Sequence, residues 1–524
     1  MQEWVVHKVL AKAAANHPHK PFLICNRQIV TFKRLDDRTN TLASALIKEG
    51  FARGDIVAVL AFNQLEWLYT YFAATKIGVG LLVLDPNSRD SDIIYMLDHF
   101  KVKGIISIPT YQDVDFVSFF EKHQEHIPTV EKYIFIGGSS KDGLVFEDML
   151  SHPLDRSYLE EVKQKVTEED TVFLLYTSNT TEGIVITNRS ILETAKAQAD
   201  HLAIDERDCM ISGFPINHID NITSAVHCSL FSFGSVTLIP ERISEKILQA
   251  IHESKPSILH GEPSMYNRLF SDKNINNYDL SSLKLCIVAG PNILSQLYHS
   301  IKWHIPNAKI IHSYGRIETS GTCILTKSTD SIEKVQESIG MAIGDFKIKV
   351  VDCEQKELST GEIGELAIKG KGVAKGYGRV GKELNQGVSE DDWLYTGDLV
   401  YIDHQGYVYY KGKKEEKYVQ GGCDIFPVEV EYVIMSHPKV AFAAGIGIPD
   451  ASHGEVGRYY VMPKQGETIL EEDLLSYCYQ HLADYKVPKQ IVFVHQLPHT
   501  PSGKIQKSLL KQQYMANAKP CESI

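Results

Sequence analysis

The chain has 524 residues and a formal net charge of −12, from 54 Lys plus Arg against 66 Asp plus Glu; at roughly 150 residues per domain, that length implies three or four structural units. Hydrophobic residues make up 43% and charged residues 23%, an ordinary globular composition that excludes a disordered or collagen-like chain. The acidic balance argues against electrostatic capture of nucleic acid or an anionic membrane, but leaves room for a small basic pocket that takes a phosphate ligand.

The opening segment MQEWVVHKVLAKAAANHPHKPF lacks the charged head, apolar run and small-residue cleavage site of a signal peptide. From there to about residue 170, helical patterns alternate with short apolar strands. The residues 65–78 carry apolar positions at helical spacing, and the runs 80–86, 101–108 and 132–138 read as buried strands. Alternation of this kind predicts a parallel sheet covered by helices, an α/β fold. The pattern resumes from Thr171 to about residue 325.

Between 345 and 412 the texture changes to closely spaced strand runs separated by Gly-containing turns, which predicts a small antiparallel β-unit. The charged stretch KGKKEEK (411–417) then marks a boundary. The expected organisation is a large part over 1–413, with α/β subdomains to about 344 and the β-rich unit over about 345–412, followed by a small mobile α+β lid over 414–524. No run reaches ~18 uninterrupted apolar residues, against a transmembrane helix. The nine cysteines are scattered singly with no CxxC pair, the usage of reduced thiols in a cytoplasmic protein.

Four turns carry candidate chemistry. In TVFLLYTSNTTEG (171–183) an apolar strand runs into six residues, Tyr176 to Thr181, of which five bear hydroxyls. Hydroxyls and backbone N–H groups in such a turn can cradle a phosphate, although Ser/Thr-rich turns are common. In HSYGRIETSG (312–321) Glu318 offers magnesium an oxygen ligand. In WLYTGDLVYID (393–403) Asp398 stands after a glycine, where a carboxylate can accept two ribose hydroxyls. In LPHTPSGKIQK (497–507) a Pro-Ser-Gly-Lys turn exposes Lys504. Singly, each is as readily a plain turn.

Their joint order is more specific. The chain resembles the adenylate-forming superfamily of acyl-CoA synthetases, luciferases and peptide-synthetase adenylation domains, from the segment 30–63 through FPINHID (214–220), residues 306–318, GEIGELAIKG (361–370), YTGD (395–398), GCDIFPVEVE (422–431) and PSGKI (501–505). The resemblance implies an ATP-dependent, AMP-forming acid–CoA ligase: a carboxylate attacks the α-phosphate, pyrophosphate leaves, and the thiol of CoA then displaces AMP. It implies a catalytic role for Lys504, Glu318 and His218, with Glu318 holding Mg²⁺. Phosphate contacts would come from Thr177, Ser178, Thr180 and Thr181. The adenine would lie beside Tyr314, Gly315 and the loop Gly290–Pro291–Asn292, with Asp398 on the ribose. Lys413 to Glu415 matches the family's hinge, and Gly421 and Gly422 match the segment that lines the pantetheine tunnel.

The chain departs from that pattern in places. The family's phosphate loop usually reads Tyr-Thr-Ser-Gly-Thr-Thr-Gly-x-Pro-Lys-Gly; residues 176–183 are three residues shorter, lack the lysine, carry Asn179 where the family has glycine, and place the Glu182 charge where triphosphate oxygens are expected. Ile317 stands for a threonine, Lys413 for an arginine and Val419 for a lysine. Loss of one charge-assisted hydrogen bond costs ~1.5–3 kcal/mol, a handicap rather than abolition. Two alternatives therefore accompany the active ligase: a weakened nucleotide- or acyl-CoA-binding homologue, and a stand-alone adenylating enzyme that loads a carrier protein. For the acid, His218-Ile219-Asp220 resembles crotonobetaine/carnitine–CoA ligases, and a fatty acid is equally admissible.

Overall fold

A computed structural model describes residues 4–138, 143–176, 182–290, 293–378, 392–450, 452–498 and 505–518. Two large, mainly parallel sheets dominate it. In the first, the strands Gly80–Leu84, Ile56–Leu60, Gly104–Ser107 and Lys132–Phe135 pair in parallel, with Thr171–Leu175 joined in parallel to Gly80–Leu84. All but Ile56–Leu60 are apolar runs singled out in the sequence. They are uninterrupted because both faces of the sheet are covered, as parallel sheets require. Helix Leu65–Ile77 is apolar on nearly every side and is buried around almost its whole circumference. Its Tyr71 ring stacks on Phe173 with centroids 4.8 Å apart.

The second sheet runs through Ser235–Leu238, Cys209–Ser212, Ile258–Gly261, Leu285–Ala289 and Lys309–Arg316, all in parallel. Gly321–Leu325 then turns back antiparallel. The two sheets are not successive in the chain. Pro21–Cys25 belongs to the second sheet, against Ser235–Leu238, while Thr171–Leu175 and Gly183–Thr187 return to the first. Strand Gly183–Thr187 ends where the Thr187 hydroxyl accepts from the Ser190 N–H and the Ser190 hydroxyl accepts from the Thr187 N–H, a reciprocal cap that starts helix Asn188–Leu202.

The four strands Lys347–Val351, Gly364–Lys369, Leu394–Ile402 and Val408–Lys413 form the antiparallel sheet expected between 345 and 412. Its inner face shares one core with the end of the second sheet, Val350, Leu366 and Val400 packing with Ile311, Tyr314 and Ile324. One short strand of this stretch leaves it: Gly376–Gly378 pairs antiparallel with Gly183–Thr187 at the edge of the first sheet.

The C-terminal region has its own sheet, with Val440–Asp450 against Gly454–Pro463 and helices Pro427–Ser436 and Glu471–His481 packed on a separate core. Polar contacts link it to the large part. Lys411 reaches Glu429 at 2.9 Å, and Gln296 donates to the Ser436 carbonyl at 2.9 Å. Among the described residues no helix is long and apolar enough to cross a membrane, and eight cysteines are free thiols.

Candidate active site

The site forms where strand Lys309–Arg316 ends. The chain makes a single 3₁₀ turn over Ile317–Thr319, passes through Ser320 at φ 54° and Gly321 at φ 112°, and returns as Gly321–Leu325. The hairpin is so tight that a Cβ on Gly315 would lie 2.4 Å from the Gly321 carbonyl oxygen, so glycine alone fits there. Thr319 pins the turn: its hydroxyl accepts from the Arg316 N–H at 2.9 Å and donates to the Gly321 carbonyl at 2.6 Å. Glu318 is thereby held out from the sheet end.

Asp398 is presented from the antiparallel sheet, next to Gly397, with its N–H donating to the Thr396 hydroxyl. It is buried, at 4% exposure. Its Oδ2 accepts from the Tyr314 hydroxyl at 2.5 Å and from Arg316 Nη1 at 2.9 Å. Arg316 Nη1 also donates to the Thr396 carbonyl at 2.8 Å, and its Nε lies 3.4 Å from Glu318 Oε2. The Tyr377 hydroxyl donates to Glu318 Oε1 at 2.8 Å. A continuous network thus runs Tyr314–Asp398–Arg316–Glu318–Tyr377, joining the second sheet, the antiparallel sheet and the strand that borders residues 182–187.

The charges in this network sustain one another. Burial works against the Arg316 cation, but Glu318, Tyr314 and Asp398 outweigh it and raise its pKa further. Burial likewise opposes the Glu318 carboxylate, yet Arg316 and the Tyr377 hydroxyl hold it below the usual range. Burial, then the neighbouring Asp398 carboxylate, pushes the Tyr314 phenol well up, so it stays a donor.

His218 stands on the other side of the turn. Its ring stacks on Phe214 with centroids 4.8 Å apart, and its Nδ1 lies 3.5 Å from Asp220 Oδ2. Asp220 Oδ1 accepts from the Thr322 hydroxyl at 3.4 Å, and the Thr223 hydroxyl donates to the Ser320 carbonyl at 2.7 Å. Those two bonds tie the His218 segment to the Glu318 turn. His260, fully buried, meets Phe214 edge-on at 5.0 Å, and neither of its ring nitrogens has a hydrogen-bond partner among the described residues.

Of the other residues named from sequence, Gly290 caps strand Leu285–Ala289, donating to the Ser313 carbonyl and accepting from His312. Lys413 is the ladder partner of Asp398 across the antiparallel sheet. The following Lys414 donates its N–H to the Gly397 carbonyl, so the expected hinge begins directly against the site. Gly421 and Gly422 form the turn between Tyr418–Gln420 and Cys423–Ile425 in the C-terminal sheet, the Gly421 N–H donating to the His453 carbonyl. Ile317 packs against the core of the first sheet and brings no hydroxyl to the site. Lys504, Thr177, Ser178, Thr180, Thr181 and Pro291 lie outside the described residues.

Sequence reasoning passed over Arg316 and Tyr377. Arg316 was visible as a cation two residues before an acidic candidate, and Tyr377 as the one side chain of a Gly-Tyr-Gly step, but neither pattern names a partner. No cluster of three His, Cys, Asp or Glu side chains gathers among the described residues. Glu318 could offer magnesium one carboxylate oxygen beside substrate phosphates, the way that ion commonly binds.

The sequence profile of AMP-binding enzymes matches residues 10–378, and that of the AMP-binding enzyme C-terminal domain matches residues 429–504. The chain is 27% identical to the long-chain-fatty-acid–CoA ligase of Haemophilus influenzae, over 96% of this chain and 94% of that protein. It is 25% identical to a 4-coumarate–CoA ligase of Humulus lupulus, over 97% and 93%. Its fold matches the crystal structure of an anthranilate CoA ligase in complex with anthranoyl-AMP with a TM-score of 0.87, covering 98% of both chains at 24% identity.

Proposed function

The chain belongs to the AMP-binding enzymes, and from that membership we propose that it is an AMP-forming acid–CoA ligase. In the first half-reaction a carboxylate oxygen attacks the α-phosphorus of ATP, the bond to the β-phosphate oxygen breaks, and pyrophosphate leaves. In the second, the CoA thiolate attacks the acyl carbon and AMP leaves with the bonding electron pair. The observation that carries this reading is the Tyr314–Asp398–Arg316–Glu318–Tyr377 network, which brings two sequence-identified carboxylates to one place on hydrogen-bonded supports. Full-length similarity to CoA ligases supports the choice of acceptor.

On this reading Asp398 takes the ribose hydroxyls, with Tyr314 and Gly290 beside the base and Gly315 leaving room at the hairpin. Glu318 holds magnesium, which would neutralise charge on the phosphates; Thr177, Ser178, Thr180, Thr181 and Pro291 border the nucleotide. Lys504 bridges the acyl carboxylate and the α-phosphate where negative charge develops. His218 stands at the acyl group. The residues 414–524 form a lid that pivots at Lys413 and brings Gly421 and Gly422 to the CoA channel. The enzyme works in the cytoplasm, as its free thiols suit.

A fatty or other apolar acid is favoured over a carnitine-like one. Asp220, the candidate partner for a quaternary ammonium, already accepts from Thr322 and faces His218. Pyrophosphate–ATP exchange across a panel of carboxylic acids tests the reading, with K504A as the negative control. Exchange with at least one acid, abolished in K504A, is the expected result. ATP binding with no exchange for any acid would leave the weakened homologue, favoured by the short loop and Ile317. Thioester formation on a carrier protein but not on CoA would replace the acceptor.

A further inference from the structure

We propose that Arg316 binds the phosphate chain of the nucleotide, taking an anionic oxygen on its Nη2 amine while Nη1 and Nε remain on Asp398 and Glu318. The inference rests on the acid–CoA ligase reading and adds a phosphate-binding residue to it.

The argument begins with charge. A triphosphate brings several negative charges to a site that already holds Glu318 and Asp398, and Glu182 stands at the edge of the residues 176–183, a stretch with no lysine or arginine. Arg316 is the guanidinium in contact with both carboxylates, at 2.9 Å from Asp398 and 3.4 Å from Glu318. The dry surroundings make one fixed cation count for more there than at the surface.

Geometry gives the second step. A guanidinium has five N–H donors in a planar fork. Arg316 commits Nη1 to Asp398 and to the Thr396 carbonyl and turns Nε towards Glu318, while Nη2 makes no hydrogen bond among the described residues. The side chain keeps 28% exposure, which leaves the uncommitted Nη2 amine reachable. A lysine's point charge lacks the fixed planar fork that keeps Nη1 on one carboxylate and Nε on the other while Nη2 is left for an anion.

The same arrangement could serve as a brace that only holds Asp398 in place, and the two roles differ in what they do to adenosine. Asp398 would meet the ribose, which adenosine has; Arg316 would meet phosphate, which adenosine lacks. Calorimetric titration of the wild type, R316M and R316K with ATP and with adenosine, magnesium present throughout, separates them. The expected result is that R316M loses about tenfold to a hundredfold in ATP affinity and keeps adenosine affinity within about threefold, R316K falling between. Equal losses for ATP and adenosine would make Arg316 a brace and overturn the proposal, as would unchanged ATP affinity. If R316M does not fold by circular dichroism, the same ATP-to-adenosine ratio is taken from R316K. A wild type that binds no ATP would remove the ligase reading itself, an outcome distinct from failure in the variants alone.

Discussion

Tyr377 donates its hydroxyl proton to Glu318 Oε1 across 2.8 Å, and so fastens the edge of the first sheet to the turn that ends the second. The strand that carries Tyr377 is three residues long and pairs with Gly183–Thr187, immediately after the hydroxyl-rich loop. The Ala374 N–H also donates to the Glu318 carbonyl at 2.7 Å. Glu318 therefore takes its orientation from a segment nearly sixty positions away in the chain.

Y377F should remove that orientation without a cavity. A hydrogen bond to a charged group contributes about 1.5–3 kcal/mol, so kcat/KM for adenylate formation should fall roughly tenfold to a hundredfold. Arg316 still faces the other oxygen, so the fold should persist. Steady-state pyrophosphate release at varied ATP measures it; a rate equal to wild type would mean that Glu318 needs no support from Tyr377.

Tyr314 and Asp398 make a second testable pair. Y314F removes the 2.5 Å bond to Oδ2 but leaves Arg316 in place, and should raise KM for ATP about tenfold through a less constrained carboxylate. On the proposed ribose role of Asp398, D398N should reduce the preference for ATP over 2′-deoxy-ATP. Preserved discrimination in D398N would detach Asp398 from the ribose.

The legible parts of the fold and site are those with a local signal. Strands Gly80–Leu84 and Thr171–Leu175 announce themselves because burial on both faces leaves them apolar apart from Thr171 at one end. Glu318 stands in a turn closed by Gly321, and Asp398 stands inside strand Leu394–Ile402 directly after Gly397, so in both a glycine marks the place. Pairing between distant segments leaves no such trace. Nothing in PFLIC at 21–25 says that its neighbour is Ser235–Leu238, and nothing in GYG at 376–378 says that it will abandon its own sheet. Arg316 was opaque for the same reason: its partner Asp398 is 82 positions away, and a cation in a turn is ordinarily solvated.

The C-terminal region depends on a charge cluster of its own. Lys507, at the start of helix Lys507–Ala518, lies 2.6 Å from Glu416 Oε2 and 2.8 Å from Glu431 Oε1. Glu431 is buried and also accepts from the Gly445 N–H at 2.6 Å. K507M would leave two carboxylates facing each other without their cation, and breaking a buried pair in this way costs about 3 kcal/mol or more. The C-terminal unit should melt at lower temperature, and a second change, E431Q, should recover part of the loss because the amide oxygen still accepts from Gly445. An unchanged melting profile in K507M would show the cluster to be energetically neutral.

Acid should destabilise the protein through three buried imidazoles. Burial lowers His227 to about 3 and His260 to about 4; it lowers His7 to about 3 with help from Lys163, Lys76 and Lys8, all from a reference of 6.5. Their surroundings explain the direction. His227 Nε2 is hydrogen-bonded to the Tyr71 hydroxyl and its Nδ1 has no partner among the described residues, while Asp220 favours the His260 cation too weakly to offset its burial. Folded-state values below the unfolded one mean that the unfolded chain binds more protons between about pH 4 and pH 6.5. Stability therefore rises with pH across that window and is lost as pH falls through it. Each histidine contributes a slope near 1.4 kcal/mol per pH unit, so the three together approach about 4 kcal/mol per unit around pH 5. Urea midpoints by circular dichroism at pH 7, 6 and 5 should fall steeply, and H260Q should flatten the slope whatever its effect on absolute stability. Midpoints that do not move between pH 7 and pH 5 would mean that these imidazoles can take up protons in the folded chain.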